Sequence, residues 1–162
     1  MGYNRFSFAQ LLPICSLNRF QWSRFDNMAY IDFNQELHVG SKVMDQEHAV
    51  LIRFINMLHE CTQEGHDDKT VGTVLTGLLE YTRTHFFVEE ELMHAYEYPK
   101  YKEHKSAHDT FKSKVVKLND EFQRGDMQIT STVLEFLKQW LTEHILKVDR
   151  ELARHLNSVG MA

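Results

Sequence analysis

Two short stretches, His85-Phe-Phe-Val-Glu89 and His104-Lys-Ser-Ala-His108, decide how this chain reads. In each, two metal-capable side chains stand four residues apart. On an α-helix that spacing places both on one face, separated by about 6 Å along the axis. Each pair also falls on the apolar stripe of its own segment. The first continues Val71, Leu75, Leu78 and Thr82 and runs on to Leu92; the second leads into Phe111, Val115, Leu118 and Phe122. Steps of three and four residues define a helix face turned toward a core. A core-facing seam should be apolar, because burying an unpaired imidazole or carboxylate is costly or shifts its ionisation.

Working outward, the same periodicity appears on both sides. Asp45 is placed to cap a helix whose stripe is His48, Leu51 or Ile52, Ile55 and Leu58, with Gly65 as its stop. A second helix opens near Asp67–Asp68 and closes at Tyr98-Pro99, since the residue before proline avoids the helical region. The third stops at Gly125. A fourth begins at Thr130–Ser131 and runs through Val133, Leu137, Leu141, His144 and Val148 to about Leu156. Short connections between long helices imply antiparallel neighbours. The expected fold is all-α, an antiparallel up-down four-helix bundle. Strand-like alternation is confined to a few residues near Tyr30–Phe33.

Composition agrees. The 162 residues are 43% hydrophobic and 25% charged, ordinary for one globular domain, and include only two Pro. A net charge of −5 offers no basic surface for nucleic acid or anionic lipid. No apolar run approaches the roughly 20 residues that cross a bilayer. Cys15 and Cys61 form neither a disulfide framework nor a zinc knuckle, which fits a reducing, cytoplasmic setting. Residues 1–27 carry Arg5, Arg19 and Arg24 with no acid before Asp26, and are expected to lie outside the folded unit. The bundle domain is then 28–162.

There are ten histidines. One histidine on a stripe is ordinarily a hydrogen-bonded core or edge residue. Seven metal-capable residues spread over four helices, including two i,i+4 pairs, are a different matter: His48, His85, Glu89, His104, His108, His144 and Asp149. His144 and Asp149 stand five apart, so on a regular helix they diverge by about 140° and rise about 7.5 Å. They could reach a centre only from different sides. His59 and His155 lie about 16 Å along the axis from His48 and His144, too far for one site. His94 falls on the far side of its helix, and His38 and His66 lie off the stripes.

Five imidazoles, two carboxylates and no thiolate disfavour a closed structural zinc site, and the set is too nitrogen-rich for calcium or magnesium. Seven donors exceed one ion's needs and suggest two first-row metals bridged by carboxylates.

His48 within Asp-Gln-Glu-His, His85-x-x-x-Glu89, His104-x-x-x-His108 and His144-x-x-x-x-Asp149 together resemble the hemerythrin signature. The stretch from Met28, Met-Ala-Tyr-Ile-Asp-Phe-Asn, with Leu37-His-Val-Gly40 after it, resembles the start of single-domain bacterial hemerythrins. Trp140-Leu141 and Tyr98-Pro99 fit as well. The resemblance implies two iron ions joined by a bridging oxo or hydroxo group. One is held by His104, His108 and His144. The other is held by His48 and His85 and keeps an open position, and Glu89 and Asp149 bridge the pair. It also implies reversible dioxygen binding for storage, transport or delivery, with Leu51, Phe86 and Leu141 walling the oxygen pocket. Any one of those three could equally be plain core packing.

Two rivals stand beside this reading. A ferritin-like di-iron oxidase needs Glu-x-x-His on two helices, and only Glu91-x-x-His94 has that spacing here. An oxygen, redox or iron-sensing module commonly appends a signalling domain, and the chain stops soon after the fourth helix. The expected partners are dioxygen and, for delivery, an oxygen-consuming enzyme. No enzymatic activity, nucleic acid or membrane is expected.

Overall fold

A computed structural model describes residues 29–161, and the expected extension 1–27 lies outside the described residues. Within them the elements are a 3₁₀ turn at Gln35–Leu37, α1 (Lys42–Gln63), α2 (Asp68–Ala95), α3 (Tyr101–Gln123), α4 (Ser131–His144), a π-helical turn at Ile145–Asp149, and α5 (Arg150–Ser158). No strand occurs among the described residues. The last three elements form one continuous rod, so the architecture is a four-helix bundle. α2 packs against α1 and α3, and α1 closes against α4.

Helix ends follow local chemistry. The Asp67 carboxylate accepts from the Thr70 N–H at 2.8 Å and starts α2, while Thr130 Oγ1 accepts from the Val133 N–H and starts α4. Gly65, at φ +67°, ends α1 and lets the His66 N–H reach the Cys61 carbonyl at 3.0 Å. Asp45, expected as the cap of α1, is not one. The helix opens four residues earlier behind Ser41, because Met44 is itself buried and extends the stripe backward. Asp45 instead accepts from the Val39 N–H at 2.8 Å, tying down the incoming chain. α2 stops at Ala95, short of Tyr98-Pro99. Glu97 takes up the left-handed conformation at φ +51°, and the Tyr98 N–H bonds back to the Met93 carbonyl at 2.8 Å.

The expected stripes are buried with four adjustments. Met93 replaces Leu92, Leu134 replaces Val133, Leu118 is half-buried, and Asp149 takes the place of Val148. α1 and α2 approach closely at Gly77, where a Cβ would come within 2.8 Å of the Phe54 ring. The arm before α1 is fastened too. Ile31 exchanges both backbone hydrogen bonds with the Asn56 side chain, at 2.8 and 3.0 Å, and Tyr30 stacks on His59. His59, one of the histidines set aside from the site, thus packs against the arm.

Candidate metal centre

All seven expected donors are buried at one level of the bundle. α1 contributes His48, α2 contributes His85 and Glu89, α3 contributes His104 and His108, and the fourth rod contributes His144 and Asp149. Their donor atoms fall into two groups. Glu89, His104, His108, His144 and Asp149 each offer an atom within 4.8 Å of all the others in the group, and so do His48, His85, Glu89 and Asp149. Both carboxylates belong to both groups.

Asp149 reaches this position through the π turn, which corrects the regular-helix expectation. Widening one turn to five residues absorbs the angle by which His144 and Asp149 should diverge. His144 Nε2 ends 3.1 Å from Asp149 Oδ1, on one face. Leu152, Ala153 and Leu156 then remain in phase with the core beyond the turn.

The donors converge on a common centre, and of the imidazoles only His108 and His144 meet each other directly, Nε2 to Nε2 at 3.0 Å. His48 Nε2 and His104 Nε2 each lie 3.1 Å from an Asp149 oxygen. Yet both Asp149 oxygens, both Glu89 oxygens, both nitrogens of His48 and of His104, and His85 Nε2 lack hydrogen-bond partners among the described residues. Buried polar atoms are nearly always satisfied, and leaving one unsatisfied costs about 1–3 kcal/mol. So many orphaned lone pairs in one place fit a pair of cations, and the imidazole and carboxylate donors suit first-row metals.

The electrostatics agree. Burial and the nearby Asp149 push the Glu89 carboxyl up, but His85, His104 and His108 outweigh them and hold it well below the usual range. Asp149 is likewise held well down, against burial, by His144, His104 and His48. Burial opposes charging His85 and His104, yet the surrounding carboxylates raise each to about 9. A field that draws protons onto two buried imidazoles also draws metal cations. His108 goes the other way, lowered by burial and by its imidazole neighbours.

Two residues that the sequence reading passed over complete the shell. Glu47 Oε2 accepts from His85 Nδ1 at 2.9 Å, and Glu90 Oε1 accepts from His108 Nδ1 at 3.4 Å. Both acceptors leave the Nε2 lone pair for the centre. Their signal was adjacency. Each sits beside a donor on its own helix, about 100° round, and so faces the next helix. Aromatic rings fix the imidazole planes. Phe86 stacks on His108 at 3.7 Å, and Trp140 stacks on His144 at 4.4 Å. Leu51, Phe86 and Leu141 are all buried. His94 is exposed and His155 bonds to the Tyr96 carbonyl, so neither joins the centre.

The profile of the Hemerythrin HHE cation binding domain matches residues 39–156. The bacteriohemerythrin of Stenotrophomonas maltophilia (strain R551-3) is 34% identical over 80% of this chain and 86% of its own length. That of Pseudomonas aeruginosa (strain LESB58) is 31% identical over 75% and 78%. A crystal structure of wild-type hemerythrin superposes with a TM-score of 0.75 at 26% identity, covering 79% of this chain and 98% of that one. With the matched profile spanning most of the bundle, the chain belongs to the hemerythrin family.

Proposed function

We propose that the centre binds dioxygen reversibly, for storage, transport or delivery, with two iron ions as its resident cofactor. The observation that carries this reading is the unequal division of donors, three imidazoles in one group and two in the other, around two shared carboxylates. His104, His108 and His144 would hold one iron, His48 and His85 the other, and Glu89 and Asp149 would span both. Bound there, a ferrous pair supplies two electrons and, at the two-imidazole position, room for a further ligand.

The remaining work falls to the chain. Glu47 and Glu90 hold the Nδ1 protons of His85 and His108 outward. Leu51 lies one turn after His48 and Leu141 one turn before His144, with Phe86 beside His85. Their apolar side chains keep water and protons from the centre, favouring release of the gas over oxidation. A carrier fits these residues better than an oxidase. The Glu-x-x-His spacing that oxidases require occurs at Glu91 and His94, and both are exposed.

The test is metal content followed by visible spectra under nitrogen, air and nitrogen again. Two irons per chain and a charge-transfer band that appears in air and fades on deoxygenation are expected. A single zinc without visible absorption would end the iron reading. A band that collapses at once to a stable oxidised form, with turnover of a substrate, would favour the oxidase.

A further inference from the structure

Glu47 and Glu90 do the same geometric task in different surroundings. Glu90 is shared: besides His108, its carboxylate meets Lys105 Nζ at 3.1 Å and Lys112 Nζ at 3.4 Å, two ammoniums that also pair with the exposed Asp109 at 3.0 and 2.8 Å. Glu47 meets no such cations among the described residues. Its one ion-pair partner among the described residues is His85, at 2.9 Å. Both carboxylates are largely buried, with side chains 21% and 16% exposed, so their charges are poorly screened. Tyr81 lies within reach of the Glu47 charge: burial first, and that carboxylate after it, push its phenol up to about 12.

A carboxylate accepting from Nδ1–H raises the basicity of the opposite nitrogen, and an ammonium beside that carboxylate takes the effect back. From this asymmetry we propose that Glu47 and Glu90 are positioning residues of unequal strength. Glu47, accepting from His85, brings its full negative charge to bear on the two-imidazole position, while Lys105 and Lys112 damp Glu90 and weaken its support of the three-imidazole position. The position with fewer protein donors is thereby compensated by the stronger outer carboxylate. The inference rests on the two-metal reading above.

The test is stepwise titration of the metal-free protein with cobalt(II), followed by absorption, so that it needs neither iron nor oxygen. Glu47→Gln keeps a side-chain oxygen for His85 and removes only the charge. One of the two binding steps should weaken about 10–100-fold. Glu90→Gln should weaken the other step, and by less. Lys105→Met with Lys112→Met should instead strengthen that second step several-fold, a direction that mere structural damage does not produce. Adding Glu90→Gln to the lysine pair should abolish the gain. Persistence of the gain would overturn the inference, because the lysines would then act by general repulsion of cations. Equal losses in the two glutamine variants would overturn it as well. Failure of the unaltered protein to bind two cobalt ions would instead count against the two-metal reading. Thermal melts of the metal-free variants separate unfolding from loss of affinity.

Discussion

Replacing Leu141 with alanine separates packing from chemistry at the centre. Leu141 is 3% exposed, stands one turn before His144, and follows the fully buried Leu137 on the same stripe. Truncation removes buried hydrocarbon and leaves a cavity that the helices cannot close without disturbing His144. Comparable changes cost about 2.7–5 kcal/mol, and a site this enclosed should lose about 3. For a domain of this size that lowers the melting temperature by about 10 °C. Leu137→Ala, two turns from His144, should cost about as much, since Leu137 is equally enclosed. The two variants should differ in chemistry. If Leu141 keeps water and protons from the centre, the air-induced band of Leu141→Ala should bleach irreversibly faster than that of Leu137→Ala. The rates are followed by absorption well below both melting temperatures. Equal bleaching in the two variants would remove Leu141 from the oxygen pocket and leave it as packing alone.

Three further outcomes are expected. His108→Ala should lose metal, because it removes a donor from the three-imidazole group, whereas His94→Ala should leave metal content unchanged and stability within ~0.5 kcal/mol; metal analysis of both variants checks the assignment of faces on α2 and α3. Glu97→Gly should raise stability by about 0.5–1 kcal/mol, since Glu97 holds the left-handed conformation that glycine adopts freely; a lower urea midpoint would contradict this. Metal-free protein should be most stable just below pH 6.5. His85 and His104 are raised to about 9, so their contributions are complete below the unfolded value of ~6.5 and lost as pH climbs through 9. Glu89 and Asp149 are depressed, so theirs are lost as pH falls through the acid range. His108, lowered by burial, opposes the other two histidines but is outnumbered. Urea midpoints that rise between pH 6.5 and 9 would refute the sign.

Much of this protein was legible in its sequence because helices impose a period. An i,i+4 pair such as His85 and Glu89 or His104 and His108 shares a face by geometry alone, and burying such groups along an otherwise apolar stripe requires a partner. The stops at Gly65 and Gly125 are legible for a similar reason. Both adopt positive φ, which glycine does without a Cβ penalty. A regular helix was the wrong ruler for His144 and Asp149. Local sequence does not distinguish a π turn from an α turn; the turn is selected because it lets Asp149 face the other donors while Leu152 and Leu156 stay in the core. Asp45 does not cap α1 because Met44, one residue before it, is a buried core position, which only the packing of other elements over α1 decides. The unequal surroundings of Glu47 and Glu90 were hidden for the same reason. Glu47 meets His85 across 38 positions, and Glu90 meets Lys112 across 22. Sequence determined the stripe of side chains that each helix turns inward, apart from the shifts at Met44, Met93, Leu134 and Asp149. Only the packing of four helices decided what those side chains, and the glutamates beside them, would face, because contacts between helices depend on rotations and offsets that no single helix encodes.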